Sequence, residues 1–465
     1  MNARVLRTEL RRSAAAWPGI TVLAGSLAVF LLIDGIWWNG TAGWTAQWTT
    51  MAMWTRYLLA FWLPLVVGTG AVYGLRESRS RMTELLVTTP LPAWRRAALP
   101  AGATALATAA GFGLLVLVGG VQVALGPTDY APPGWLPISL VALLALVAGA
   151  VFGMGVARTL PHVLTPPALM VGVLALTNLL RPRTEDLVPS GSAPNRLTLL
   201  SPVVPDPREM LLTLSGPVHL GQTLWLLGLL GTGFALLSAT TRRARLLAVV
   251  PALAGAALAL PVLPAEARDS YVVDKAAAAL VCEGPVCVTR ANRDRLDELA
   301  ARGTEALSVL RGLLGDRAPH TVREDNGLRA LGDVRELSDD VVLVDFDERL
   351  FTDAEGEALT RALISQGLAP SCHANNDREG AGSSDVAVQS IAVSWALHDP
   401  QLRPLVAKGT GAYEQRTWAD ADTAWQKLTA APPDEQRSRI GELRAHAFSC
   451  APGDPLLLLQ GKASR

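Results

Sequence analysis

The sequence predicts an α-helical polytopic membrane domain of about seven transmembrane helices, followed by a C-terminal extracytoplasmic α+β domain. Three observations predict it. Half of the 465 residues are hydrophobic and the mean hydropathy is +0.29, too apolar for a soluble domain of this length. Long apolar runs fill residues 17–263 and stop there. Charge divides at the same place: 18 basic and 9 acidic residues fall in 1–263, against 23 basic and 32 acidic in 264–465.

A helix crossing a bilayer needs roughly 20 apolar residues, because lipid offers no hydrogen bonds to an exposed backbone. That test places spans at 17–38, 52–75, 99–125, 135–157, 163–180, 222–240 and 246–263. The fifth carries Pro166 and Pro167 and is the shortest of the first five. Before the first, Leu6, Leu10, Ala14 and Trp17 form an apolar stripe beside Arg4, Arg7, Arg11 and Arg12, so residues 1–16 read as an interfacial elbow helix. The long first run lacks an A-x-A-like cleavage site and reads as a retained anchor.

Basic residues near spans stay in the cytoplasm. With the N-terminus inside, the inner segments hold Arg76, Arg79, Arg81, Arg95 and Arg96, then Arg158, then Arg242, Arg243 and Arg245, while the outer loops 39–50 and 126–134 hold none. The longer outer segment 181–221 breaks the pattern with four arginines, and its many prolines suit short helices dipping into the outer leaflet or a plain surface loop. An odd number of spans puts 264–465 outside. The expected location is the cell membrane, multi-pass, with the lipid bilayer as partner.

Asp34 and Arg56 are ionisable residues near the outer ends of the first two spans, and the sequence suggests an intramembrane ion pair or separate reach to headgroups. Trp37, Trp38, Trp44, Trp48 and Trp54 crowd the same level, as an aromatic belt does or as the lining of a path would. Gly149 and Gly153 have GxxxG spacing, which fits either an intrachain contact or a dimer seam.

All four cysteines, Cys282, Cys287, Cys372 and Cys450, follow the last span, where disulfides persist. Three connectivities are open. A turn at 283–286 would bring Cys282 to Cys287 in a hairpin, which favours that pair and leaves Cys372 with Cys450. Strands are expected at 279–281, 286–289 and 341–346, with helices at 292–314, from Thr352-Asp353-Ala354-Glu355 (capping-box spacing) to about 366, around 388–395, and from Pro433.

Signs of chemistry are few. There is no GxxxxGK[ST] loop to hold nucleotide phosphates and no HExxH to bind zinc. His373 beside Cys372 has no ligand-spaced companion; Ser390 and Ser394 lie outside any GxSxG elbow; Asp345, Asp347 and Glu348 could hold a cation or simply end a strand in solvent. No enzyme activity, cofactor or metal is expected, and the acidic C-terminal balance offers nothing to nucleic acid.

The most informative stretch interrupts the apolar pattern at 77–97, ESRSRMTELLVTTPLPAWRRA. Met82, Leu85 and Leu86 fall on one face of a short helix, Pro90 and Pro92 stop it, and Trp94 with Arg95 and Arg96 suits the membrane surface. This stretch resembles the coupling segment of permease subunits of type-2 ATP-binding-cassette exporters, E-x-[RK]-x-x-x-T-E-L-L-x-x-T-P-x-x-x-W. The matching positions are Glu77, Arg79, Thr83, Glu84, Leu85, Leu86, Thr89, Pro90 and Trp94. The elbow helix and the outer segment before the sixth span are similar too, over residues 1–245. Family members usually end after six spans, whereas this chain adds a seventh and an ectodomain. The resemblance implies a cytoplasmic ATPase subunit docked on Glu77, Arg79, Arg81, Glu84, Leu85, Leu86, Pro90 and Trp94, and a second permease chain. The alternative is a membrane-anchored sensor or assembly protein whose ectodomain binds a ligand or envelope partner.

Overall fold

A computed structural model describes residues 14–33, 35–38, 42–76, 92–126, 128, 130–181, 193–205, 210–327, 334–346, 348, 350–352, 354–372, 383–408 and 411–462. The chain divides into two compact units: Met1–Pro127 with Ala131–Val272, and Thr128–Tyr130 with Val273–Arg465.

The first unit is helical. Its helices are α1 (Trp17–Leu32), α2 (Trp48–Tyr57), α3 (Leu59–Gly74), α4 (Ala93–Leu125), α5 (Trp135–Thr159), α6 (Thr165–Leu179), α7 (Gly216–Ser238), α8 (Arg242–Leu247) and α9 (Val250–Val262). Among the described residues, five helices are long and apolar enough to cross a membrane: α1 with the preceding turn, α4, α5, α7, and α8 continued into α9. The pair α2–α3, bent by 52°, makes a sixth if it is one span. The expected fifth span is the exception. Helix α6 has 15 residues, a rise of about 22 Å against a hydrocarbon core of about 30 Å.

Small residues set the packing. A Cβ on Gly153 would fall 2.1 Å from the Val67 carbonyl oxygen, and one on Gly149 would press on Leu63 and Val67. The GxxxG face of α5 is therefore filled by α3 of the same chain. Gly228 of α7 meets Pro251 and Gly255 of α9 in the same way.

These contacts also fix direction. Gly70 and Gly74 of α3 lie against Ala150 and Met154 of α5, and Gly155 of α5 against Gly233 of α7, so the three helices run parallel. One end of the bundle gathers Ala15, Tyr73, Ala97, Ala101, Met154 and Leu237. The opposite end gathers Ala52, Ile138, Leu199, Val218 and Leu263.

Two expectations change here. Trp44 and Trp54 are fully buried, Trp44 stacked on Phe30 with centroids 4.0 Å apart and Trp54 donating its indole N–H to the Ala42 carbonyl at 2.7 Å. They are core rather than interfacial belt; Trp37 and Trp48 are half-buried, and Trp38 is 42% exposed. The stretch 198–199 with 201–205 is likewise buried, so it is no surface loop.

The second unit is α+β. Four strands, β1 (Leu280–Glu283), β2 (Val286–Thr289), β3 (Thr321–Glu324) and β4 (Val341–Val344), lie side by side in chain order; β1–β2 is antiparallel and the next two pairings are parallel. Helix α10 (Leu296–Leu314) crosses between β2 and β3, burying Leu296, Leu299, Ala300, Leu307 and Leu310 as the spacing predicts. The remaining helices are α11 (Gly356–Leu368), α12 (Ser383–Ala396), α13 (Ala412–Thr429), α14 (Pro433–Ser449) and α15 (Pro455–Leu459). Ten consecutive residues of α11, Leu359 to Leu368, are buried, which makes it the central helix of one core shared with β2–β4, α10, α12 and α13.

The expected capping box of α11 does not form. Thr352 donates its hydroxyl to the Phe346 and Glu348 carbonyls instead, and the amide of Gly356 donates to the Glu298 carboxylate of α10 at 2.9 Å. A negative charge at a helix N-terminus serves the same orphan amides, but it comes from 58 residues away.

Candidate functional site

Of the expected coupling residues, Glu77, Arg79, Arg81, Glu84, Leu85, Leu86 and Pro90 lie outside the described residues. Trp94 is described. It sits in the first turn of α4, 54% exposed, with the Arg95 guanidinium 5.1 Å from its ring centroid. The end of α3 and the start of α4, which precede and follow 77–91 in the sequence, both lie at the bundle end marked by Tyr73, Ala97, Met154 and Leu237. The helix ends bearing Arg76, Arg95, Arg96, Arg158 and Arg242–Arg245 collect there as well. Hence the described arginines of the expected inner segments gather at one basic end, while Arg181 beside Tyr57 and Arg196 on the Leu263 carbonyl lie at the other.

The opposite end contains a polar centre. Arg56, in the last turn of α2, is 0% exposed. Its Nε donates to the Pro202 carbonyl at 2.7 Å and its Nη2 to Oε1 of Gln222, while Nη1 has no partner among the described residues. The Gln222 amide donates onward to the carbonyls of Leu199 and Ser201 at 2.9 and 3.0 Å. The two side chains thus satisfy three carbonyls of an irregular, buried stretch, as an apolar surrounding requires. Asp34, the expected partner of Arg56, lies outside the described residues. Sequence reasoning passed over Gln222 and His219, although polar residues at the head of an apolar helix were a legible signal.

In the second unit, Cys282 pairs with Cys287 across β1–β2, and Cys372 pairs with Cys450 at the end of α14. The second pair borders a cavity of 380 Å³ lined by Pro370, Val388, Leu443, His446 and Pro455. His373 lies outside the described residues. The hydroxyls of Ser390 and Ser394 accept from the amides of Leu405 and Arg403, so both are tied into the core.

Asp345 and Glu348 are neither a solvated strand end nor open to a cation. They surround Arg335, whose side chain is 1% exposed: Nη2 meets Asp345 at 2.5 Å, Nη1 meets Glu348, and Nε lies 3.4 Å from Asp325, close enough for charge but not aligned as a hydrogen bond. Asp347 lies outside the described residues. Burial opposes charge on Arg335, but Glu348, Asp345 and Asp325 together hold its pKa above the usual value. The backbone amide of Arg335 also donates to the Cys372 carbonyl. One guanidinium therefore ties the ends of β3 and β4 to the disulfide-bearing loop.

Close by, Glu324 accepts from the Thr289 amide and hydroxyl and from Asn292, yet burial outweighs these bonds and pushes its carboxyl up to about 7. Tyr130, from the 128–130 stretch that belongs to this unit, donates to the Asp274 carboxylate at 2.9 Å.

No protein-family model, curated protein or solved structure matches the chain.

Proposed function

We propose that the chain is the membrane permease subunit of an ATP-binding-cassette exporter, coupled through residues 77–97 to a separate cytoplasmic ATPase. The observation that carries this reading is the gathering of Arg76, Arg95, Arg96, Arg158 and the arginines at 242, 243 and 245 at one end of the bundle, where α3 ends and where α4, the next described helix after the charged sequence 77–91, begins. Basic helix ends favour the cytoplasm, and charged side chains flanked by Trp94 and Arg95 suit docking to a partner at the membrane surface.

The same packing supports seven crossings. Helices α5 and α7 run parallel, so the chain must return between them. Helix α6 supplies about 22 Å of that path, and the buried 201–205 stretch extends the buried chain between them at the far end. Seven crossings from a cytoplasmic N-terminus leave the C-terminal unit outside, in keeping with its two disulfides. A second permease chain completes the pathway in this reading.

The test is recovery of the intact protein in mild detergent. An ATPase bearing a phosphate-binding loop is expected to accompany it and to be lost from Glu84→Arg/Leu85→Asp, with the C-terminal unit still folded. Absence of any ATPase would favour the second reading, a membrane-anchored sensor or assembly protein. That reading draws on one observation, the cavity beside Cys372–Cys450.

A further inference from the structure

Arg56 is a full positive charge with no water and, among the described residues, no carboxylate against it; its hydrogen-bond partners are the neutral oxygens of Pro202 and Gln222. Taking an ion out of water costs several kcal/mol even after relaxation, and neutral dipoles recover only part of that. The unfilled group is specific. Among the described residues Nη1 finds no acceptor.

Further unfilled groups lie nearby on α7. Ser215, its N-cap residue, His219 and Gln222 follow one another at i, i+4 and i+7, hence on one face. Gln222 touches Arg56, and His219 lies within its electrostatic reach. Among the described residues neither the buried Ser215 hydroxyl nor the His219 Nδ1 makes a hydrogen bond of normal geometry, although the Leu214 backbone acts on the His219 ring. Tyr271 also acts on Arg56 electrostatically. A guanidinium edge, a hydroxyl and, in its Nδ1–H tautomer, an imidazole can donate to the oxygens of an anion.

We propose that Arg56, with Ser215, His219 and Gln222 of α7, forms a binding site for an oxyanion headgroup, phosphate or carboxylate, at the end of the helical unit opposite the basic end. The apolar residues beside it, among them Ala52, Met53, Ile138 and Val218, suit the chain of an amphiphile that carries such a headgroup. Arginine fits this task because its planar fork stays charged when buried and bonds two oxygens at once. The site stands on burial and unfilled donors and does not depend on an ATPase. A chain that binds the anion without an ATPase partner would keep this inference and lose the exporter reading.

The experiment uses the full chain in neutral detergent, titrated with dioleoylphosphatidylglycerol, oleate, dioleoylglycerol and inorganic phosphate, with bound lipid counted by native mass spectrometry. Saturable binding of about one anionic amphiphile per chain is expected, weakened at least tenfold in Arg56→Gln and unchanged in Arg268→Gln, an exposed arginine paired with Glu266. Competition by inorganic phosphate would make the free anion a sufficient ligand; lipid binding without such competition would make the headgroup a ligand only when attached to its chain. Should Arg56→Gln not yield folded protein, Ser215→Ala/His219→Gln takes its place, with a loss of several-fold expected. Equal binding of dioleoylglycerol, no saturable binding of any anion, or full binding by the folded variants would overturn the proposal.

Discussion

Arg56 and Arg335 are both shut away from water, one in the helical unit and one in the C-terminal unit, and their surroundings are opposite. Arg335 faces three carboxylates, Asp325, Asp345 and Glu348, two of which follow strands β3 and β4 directly. Among the described residues Arg56 faces carbonyl and amide oxygens and keeps one nitrogen unfilled. The first arrangement leaves nothing for a ligand to do, because the counter-charge is built into the fold. The second leaves a charge that an incoming anion would complete. Burial of an arginine is therefore a poor guide to its role; what decides is whether the protein itself supplies the opposite charge.

That contrast predicts unequal consequences of removing each guanidinium. Arg335→Ala should be the more damaging change, since it strands three carboxylates in a buried pocket; a loss of about 3–5 kcal/mol is expected in the C-terminal unit. Hydrogen exchange at the amides of β3 and β4 in the intact chain would read it, and protection like that of the wild type would remove the distinction drawn here.

A smaller effect should follow pH. Glu324 is held protonated in the folded chain up to about 7, above the ordinary carboxyl value of 4.5. The folded state thus binds more protons than the unfolded state across that window, and the Glu324 contribution to stability falls as pH rises from about 4.5 through about 7, while Glu348, pushed up by burial to about 8, extends the fall to that pH. Glu324→Gln should flatten the slope of melting temperature against pH over this window. An unchanged slope would place the dependence elsewhere in the network.

Least affected in stability should be Arg56→Gln. It forfeits the hydrogen bonds to Pro202 and Gln222 but also removes a charge that no described carboxylate compensates, so a net change within about 1 kcal/mol is expected. A loss as large as that of Arg335→Ala would show that Arg56 is a tie like Arg335, not a ligand group.

How much of this was legible beforehand depended on the range of the interaction. The amphipathic spacing of α10 and the LVCEGPVCVT hairpin are local, and both appear where the sequence puts them. The expected boundary at 263 rests on composition alone, whereas the two compact units divide between Val272 and Val273. Strand β3 escaped notice because Thr321–Glu324 is four residues of mixed character. Helix α13 was missed although Trp418, Ala421, Trp425 and Leu428 repeat at helical spacing, a signal that its many charges concealed.

The polar sites were hidden for a different reason. Arg56 meets residues 146 and 166 positions away, and the cap of α11 comes from α10. No local pattern encodes such contacts. The buried tryptophans make the same point: Trp44 and Trp54 fit an interfacial belt by position in the chain, and only the packing of Phe30 and Ala42 against them reveals a core.

The central claim is that the charged segment between α3 and α4 faces the cytoplasm. It is tested by placing a cysteine at Ser80 in the full chain, where Cys282, Cys287, Cys372 and Cys450 are already paired and give no background. A membrane-impermeant maleimide applied to intact cells should leave that cysteine unlabelled and should label it once the cells are opened. Labelling on intact cells would contradict the account.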